Sequence, residues 1–279
     1  MSATAVAAIG FALAGTPAFA RRLQERFPVA SHPVVTLHNA SGTVTIRTWL
    51  KPEVDVTAEH QSQKVEVSAS KKGNMVLVAT HILTDDVTPT DLETDYVITV
   101  PQESALSIQN DSGKVEVEGV LLGNTSVETV SADVDLRNVT GDINVGTVGG
   151  SFTCNECSGQ IEANSISGGI NVIGSESGNV RARTSTGNIL LDSDLLPNGL
   201  YRLRNYSGRI DVLFSPADSF DVSAISLRGK VENNASLKTP AQPTQHLPPF
   251  ARSLFGAYNE GRARLVLNSF SGTIAIRQR

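Results

Sequence analysis

The amino-acid sequence predicts an all-β fold, a parallel two-sheeted β-solenoid with coils of roughly 18–21 residues and a β-rich N-terminal segment. The chain of 279 residues has 23 glycines, 5% aromatic and 18% charged residues, a profile typical of short strands joined by tight turns. A unit of nine or ten residues, which begins at a glycine and alternates polar with apolar residues, recurs from Gly113 to Leu191. Gly187, Gly208 and Gly229 are then 21 residues apart, and each longer unit holds two strand patterns.

The first 33 residues are predicted to lie outside the solenoid. Residues 1–20 are small or apolar and end in Ala18-Phe19-Ala20, which is typical of a secretory signal peptide. An uncleaved anchor is the alternative, which the short apolar run disfavours. Residues 21–33 are expected to form a tether. No later segment is apolar enough to span a membrane, so the sequence predicts an exported protein of the periplasm, cell envelope or cell surface.

Residues 34–100 are predicted to form the β-rich N-terminal segment. Val44 and Ile46 alternate with polar neighbours in the pattern of a half-buried strand, and several similar runs follow. The carboxylates between Asp85 and Asp95 could hold calcium, which takes oxygen ligands. Their spacing matches no calcium-binding pattern, so we expect a solvated acidic loop instead.

Residues 101–233 are predicted to form the regular coils. Nine residues are too few to go round a coil and bury a core, so two units make one coil. One sheet is predicted to stack Val115, Val134, Phe152, Ile170, Ile189, Ile210 and Val231. The other is predicted to stack Thr125 or Val127, then Ile143, Ile161, Val180 and Leu203. A third inward column is predicted at the corners, made of Val120, Val130, Val139, Val148, Cys157 and Ile166.

Residues 234–263 leave this register and are predicted to form a Pro-rich excursion, after which residues 264–279 add a closing coil. Within the excursion, a short helix after Pro249 would place four apolar side chains on one face. We therefore consider this face a candidate partner-binding site, made of Phe250, Leu254, Phe255 and Tyr258.

Cys154 and Cys157 are the only cysteines. Both fall in inward columns, so the favoured interpretation is a pair of small core side chains. A disulfide across the coil corner is the alternative, which export to an oxidising compartment would permit. A zinc site would need a second pair of ligands, and no metal or cofactor is predicted.

Four asparagines precede a unit glycine by three residues in the pattern N-x-[ST]-G. They are Asn39, Asn110, Asn138 and Asn205. Glycosylation is the formal alternative, but asparagine side chains also bond the backbone at tight corners. We predict that stacked coils bring these side chains together as a polar ladder.

Charge and motif content favour a non-enzymatic protein. The net charge of −5 argues against nucleic-acid binding, which needs a basic surface. A polysaccharide-active solenoid enzyme is the main alternative, because Glu116 and Asp135 would be outward neighbours, as would Glu162 and Arg181, with two further carboxylates nearby. Those are Asp133 and Asp142. No nucleophile, base and orienting partner can be assembled from the sequence.

Three stretches and the repeat between them resemble the putative adhesin family of bacteria, from about Val34 to Arg277. The stretches are VTLHNASGTVTIRTW, DYVITVPQESALSIQNDSGKVEV and LNSFSGTIAIR, and the repeat unit is SG-x-[IV]-x-[VL]. The resemblance implies a single exported β-solenoid domain over residues 34–279. It also implies a structural or adhesive binding module, whose partner would be an envelope protein or a surface glycan. A third candidate role is an envelope-stress accessory that docks a partner through residues 234–263.

Overall fold

The computed structural model describes residues 21–238 and 251–279, so the predicted signal peptide lies outside the described residues. These contain one short 3-10 helix (Pro89–Leu92), and no helix among them is long and apolar enough to cross a bilayer. The strands are β1 (Arg21–Pro28), β2 (Val34–Trp49), β3 (Glu53–His60), β4 (Val65–Lys72), β5 (Met75–Ile82), β6 (Thr94–Pro101), β7 (Ala105–Glu118), β8 (Gly123–Glu128), β9 (Asp133–Arg137), β10 (Thr140–Thr147), β11 (Phe152–Asn155), β12 (Ser158–Ser165), β13 (Ile170–Ile173), β14 (Glu176–Thr184), β15 (Ile189–Asp192), β16 (Leu200–Asn205), β17 (Arg209–Phe214), β18 (Phe220–Ser226), β19 (Lys230–Asn233), β20 (Arg252–Tyr258), β21 (Ala263–Ser269) and β22 (Thr273–Gln278).

Backbone pairing arranges these strands in two stacks around one hydrophobic core. Sheet I has the order β4-β5-β2-β7-β8-β10-β12-β14-β16-β21-β18-β20. Sheet II has the order β1-β3-β6-β2-β7-β9-β11-β13-β15-β17-β22-β19. Strands β2 and β7 belong to both, because each continues round a corner. The coils pair in parallel, which confirms the predicted two-sheeted solenoid.

The inward columns largely follow the predicted register. In sheet II the predicted column is confirmed from Val115 to Ile210, and its residues are almost fully buried. In sheet I the column passes through Thr125 and then through Tyr201, whereas Leu203 lies in the neighbouring column beside Ala182. Tyr201 and Leu203 of β16 both face inward, so alternation alone could not say which of the two continues the column.

The predicted closing coil is not the last coil of the stack. Strand β21 lies between β16 and β18, and β22 lies between β17 and β19. Ile274 therefore separates Ile210 from Val231, and the predicted contact between those two is wrong. The 21-residue spacing of the glycines predicted direct neighbours, but a segment later in the chain occupies the place between them.

Antiparallel strands cover the first end of both sheets and the last end of sheet I. Residues 21–28, expected to form part of a tether, instead form β1, which pairs with β3 along its whole length. Leu23 and Phe27 of β1 pack against the core. Covering an open sheet edge in this way protects backbone groups that would otherwise invite pairing with another chain.

At the other end, β20 pairs antiparallel with β18, so the predicted helix over Leu254, Phe255 and Tyr258 is wrong. The free edge of β18 offers backbone hydrogen-bond partners to this segment, and the segment can use them as a strand but not as a helix. The ring of Tyr258 packs 5.3 Å from that of Phe220, measured between centroids. Phe250, the fourth residue of the predicted face, lies outside the described residues.

The two corners of a coil differ, and this divides the third predicted column. Where sheet II passes to sheet I, Val120, Val139 and Cys157 are fully buried, as predicted. Where sheet I passes to sheet II, which we call corner A, a serine or threonine hydroxyl accepts a hydrogen bond from the glycine amide three residues later. The side chain after that hydroxyl residue then points outward. The predicted inward position is therefore wrong for Val130, Val148 and Ile166, whose side chains are 51%, 45% and 55% exposed.

Candidate functional site on the outer face of sheet I

The carboxylates predicted as outward neighbours on sheet II are held by a lysine. Glu116 and Asp135 lie opposite each other on β7 and β9, as predicted. Lys114 Nζ lies 2.7 Å from Glu116 and 3.0 Å from Asp135. The hydrogen bond from Lys114 holds the pKa of Glu116 below its ordinary value. Glu116 is therefore ionised near neutral pH and lacks the proton that a general acid must donate.

The two further carboxylates of that candidate site lie apart. Asp133 accepts hydrogen bonds from the hydroxyl and backbone amide of Ser151, at 2.7 and 2.8 Å, and these hold its pKa below the usual range. Asp142 lies on β10, in sheet I, whereas Asp133 lies in sheet II. The structure therefore does not bring them together.

The acidic loop before β6 has its own internal partners. Asp91 accepts hydrogen bonds from the backbone and hydroxyl of Thr88 and from the hydroxyl of Ser62, which lower its pKa. Lys64 lies 3.4 Å from Asp86 and 3.3 Å from Asp91. In the described parts of the chain, no group of three or more His, Cys, Asp or Glu side chains is placed to hold a metal ion.

Cys154 and Cys157 form a disulfide, and both are fully buried. Both lie in inward columns, as predicted, with Cys154 between Leu136 and Val172 of the neighbouring coils. The bond joins β11 to the corner that follows it. Because the sulfurs are packed among apolar side chains, this pair has the surroundings of a structural disulfide and not of an exposed reactive thiol.

The predicted asparagine ladder exists for one pair. Asn39 and Asn110 are buried, and Asn39 Nδ2 donates to Asn110 Oδ1 at 2.9 Å. Asn205 lies at the same corner several coils away, while Asn138 lies at the opposite corner with φ of 51°. The prediction is wrong for these two, because the sequence pattern does not distinguish the corners.

An array of arginines on the outer face of sheet I was missed in the sequence. It occupies the neighbouring strands β14, β16 and β21. Arg181 lies opposite Arg202, and Arg183 lies opposite Arg204. Arg264 lies one strand further, opposite Leu200. We call these five side chains the arginine array: Arg181, Arg183, Arg202, Arg204 and Arg264.

The arginine array is poor in ionic partners. Arg181 lies 3.8 Å from Glu162, the neighbour predicted for it. The other four arginines form no ion pair within 4.0 Å among the described residues, although Asp221 of β18 lies directly opposite Arg264 on the neighbouring strand. Strands in a sheet lie about 4.8 Å apart, and like charges directly opposite each other are destabilising.

The outer face of sheet II provides the contrast. Arg209 lies 2.8 Å from Asp211 and 3.2 Å from Glu232, and Arg277 lies 3.3 Å from the same Glu232. These two guanidinium groups thus have local counter-charges. The difference between the faces marks the array as the unusual surface.

The array leaves only a partial signal in the sequence. The pattern R-x-R occurs four times in the sequence. At residues 181–183, 202–204 and 262–264 the residue between the charges is apolar and faces inward, whereas the fourth, at residues 277–279, begins in β22 of sheet II. Each pattern alone reads as an ordinary strand with a polar outer side. Their alignment becomes visible only when the strands are placed in register.

Polar and apolar surfaces border the array. On β10 and β12 the outward positions carry amides (Asn144, Gln160 and Asn164) and two carboxylates (Asp142 and Glu162), and Asn179 of β14 donates to Gln160 at 3.1 Å. Along corner A run the exposed apolar side chains described above. Tyr206 follows the array strand β16 at this corner and stacks on Phe270 with ring centroids 4.6 Å apart.

Comparison with known proteins identifies the family of this solenoid. Residues 35–277 match the family profile described as Toastrack DUF4097. The chain belongs to the Toastrack DUF4097 family. This match confirms the resemblance that the repeat units and the flanking strand motifs predicted.

Two solved structures are similar to this Toastrack chain. One is a putative cell adhesion protein from Clostridium sporogenes ATCC 15579, with 10% identity, a TM-score of 0.32, and coverage of 93% of this chain and 100% of that one. The other is a putative adhesin from Bacteroides fragilis NCTC 9343, with 13% identity, a TM-score of 0.46, and coverage of 93% and 97%. Among curated proteins, none matches the chain.

Proposed function

We propose that this Toastrack protein is an exported, non-enzymatic binding module of the cell envelope or cell surface. Its ligand would be held on the outer face of sheet I. The stacked coils supply a continuous face on which side chains from different coils keep fixed spacings.

The arginine array is the observation that carries this proposal. Arg183 and Arg204 lie directly opposite each other on neighbouring strands, and neither has a carboxylate partner among the described residues. Such an arrangement works against folding, and departures of this kind are expected at functional sites. A bound ligand that brings counter-charge would relieve the repulsion.

The surroundings of the carboxylates favour binding over catalysis. A polysaccharide hydrolase needs two carboxyl groups, one of which holds a proton for the leaving group. Lys114 keeps Glu116 ionised and is also paired with Asp135. The described part of the 234–263 excursion uses β20 to cover β18, which gives that segment a role in the fold itself.

A glycan panel incubated with the full chain would test the proposal. We expect retention of at least one glycan class with no change in its chain length. The contrary result would be the release of new sugar ends that is lost in Asp135→Ala or in Glu162→Ala. That outcome would make the protein an enzyme.

A further inference from the structure

We propose that the arginine array binds a linear acidic polysaccharide that runs along the stack, across the strands of sheet I. This rests on the proposed function and assigns the ligand class. The recognised groups would be the carboxylates, sulfates or phosphates carried by successive sugars.

The spacing of the guanidinium groups suits a repeated anion. Neighbouring strands place Arg181 and Arg202 about 4.8 Å apart at the backbone, and residues two apart on one strand are about 6.6 Å apart. An anionic group above the array can therefore contact guanidinium groups from two strands. Arginine forks bind carboxylate, sulfate-like and phosphate oxygens in bidentate fashion, which gives these contacts both strength and geometry.

The shape of the site favours a polymer over a small molecule. Small ligands are held in concave pockets that bury most of their surface. Five clefts of about 110 to 390 Å³ on the described surface are lined by other residues. The array instead lies on an open strand face, where only a ligand that spans several coils can make many contacts.

The amides beside the array point to a sugar polymer. Outward positions continue from Arg181 to Glu162 and Asn144, and from Arg183 to Asn164, on the preceding strands. Amide side chains offer both donors and acceptors, which match the hydroxyl groups of sugars. A chain lying along the stack would thus meet amides and the carboxylate of Glu162, which is paired with Arg181, before it reaches the other guanidinium groups.

Two other polyanions fit less well. Nucleic-acid binding depends on a broad basic surface, whereas the arginines here are confined to three neighbouring strands, β14, β16 and β21. Surface binding to a lipid bilayer depends on protruding apolar side chains. On the array strands the outward apolar residues are Leu200 and Val266, and both are only partly exposed. The more exposed apolar side chains lie beside the array, along corner A, so lipid vesicles are one of the alternatives tested below.

The test uses the full chain and a matched pair of polymers, dextran sulfate and unmodified dextran, with polygalacturonate as a carboxylate polymer. Binding is measured by calorimetry at low and moderate salt. We expect binding to at least one acidic polymer, weaker at higher salt, and none to dextran. Arg183→Gln with Arg204→Gln should weaken binding by about tenfold or more, since two charge-assisted contacts are lost.

The control variant is Arg209→Gln with Arg277→Gln, which makes the same change in net charge on the opposite sheet. Its affinity should stay within about twofold of the wild-type value. Thermal melting of both variants separates binding from folding. The array variant should melt at or above the wild-type temperature, because it removes cross-strand repulsion.

Several outcomes would overturn the assignment. Equal losses in both variants would mean that only overall charge matters. Tighter binding of single-stranded DNA or of anionic lipid vesicles than of any acidic polysaccharide would assign a different ligand. If neutral glycans bound, and the array variant bound them equally well, the array would not be the ligand site but the protein would still be a binding module. Cleavage of a polymer would instead contradict the proposed function itself.

Discussion

At corner A, single glycines decide whether one coil can lie on the next. A Cβ atom added to Gly168 would lie 1.8 Å from the carbonyl oxygen of Gly150, and one added to Gly187 would lie 2.0 Å from that of Gly168. Both distances are far below any real contact. The constraint at this corner is therefore the close approach of two backbones. The sequence shows that glycine recurs here, but it does not show that close approach is the reason.

Replacing Gly168 by alanine should accordingly cost more stability than the same change at Gly178. Around Gly178 a new Cβ would meet nothing within 4 Å, and neither residue has a positive φ. We expect Gly168→Ala to lower the free energy of unfolding by about 3 kcal/mol through overpacking against backbone. Gly178→Ala should stay within about 0.5 kcal/mol or stabilise slightly. Urea unfolding measures both, and similar effects of the two changes would contradict the stacking explanation.

The buried columns could be predicted residue by residue, whereas the arginine array could not. Phe152 and Ile170 were placed correctly because each coil repeats the same alternation of inward and outward positions. Arg181 and Arg202 are separated by a whole coil in the sequence, and nothing local shows that they become neighbours. Outward residues also lack the apolar character that fixes register.

At the scale of elements, the disulfide reinforces a corner that is already packed. It links residues only three apart, so it closes a very small loop. Loop closure accounts for most of the stabilisation expected from a disulfide, and it grows slowly with loop length. The columns of Cys154 and Cys157 are otherwise filled by small apolar or polar side chains such as Val139 and Val172.

Replacing the pair by Cys154→Ala with Cys157→Val should therefore leave a folded protein. We expect the free energy of unfolding to fall by about 2 kcal/mol, the value for a loop of this size. The comparison variant, Cys154→Ser with Cys157→Val, should lose more because it buries a hydroxyl group between Leu136 and Val172. If the Ala/Val variant failed to fold, the disulfide would be essential to the coil and this account would be wrong.

The strands that cover the stack ends were the elements least visible in the sequence. β1 and β20 do not carry the repeat unit, and their pairing is antiparallel. Their apolar residues alternate over short stretches that also suit a tether or a helix face. What decides their structure is an edge strand elsewhere in the chain that needs a partner, and that information is not local.

At the scale of the whole molecule, the stacking order departs from the chain order at one place. The coil of β18 and β19 is separated from that of β16 and β17 by β21 and β22. In a repeat stack each coil is stabilised mainly by its direct neighbours. The stability of residues 220–233 therefore depends on a segment that follows them by more than one coil.

Removal of residues 263–279 should expose that dependence. We expect residues 220–233 to lose protection against amide exchange and to become sensitive to protease, because their neighbouring strands are gone. Residues 105–192 should keep most of their protection, since their own neighbours remain. Hydrogen exchange with mass spectrometry reads both regions in one experiment, and unchanged protection of 220–233 would contradict the inserted position of β21 and β22.

The inserted strands also determine the order in which the coils can assemble as the chain folds from its N-terminus. Coils between residues 105 and 214 can dock one after another as they emerge, each on a finished predecessor. Residues 220–233 follow in the chain, but β18 and β19 lack their parallel partners β21 and β22, which come later in the sequence. Residues 220–233 can therefore join the stack only together with β21 and β22, in one concerted step.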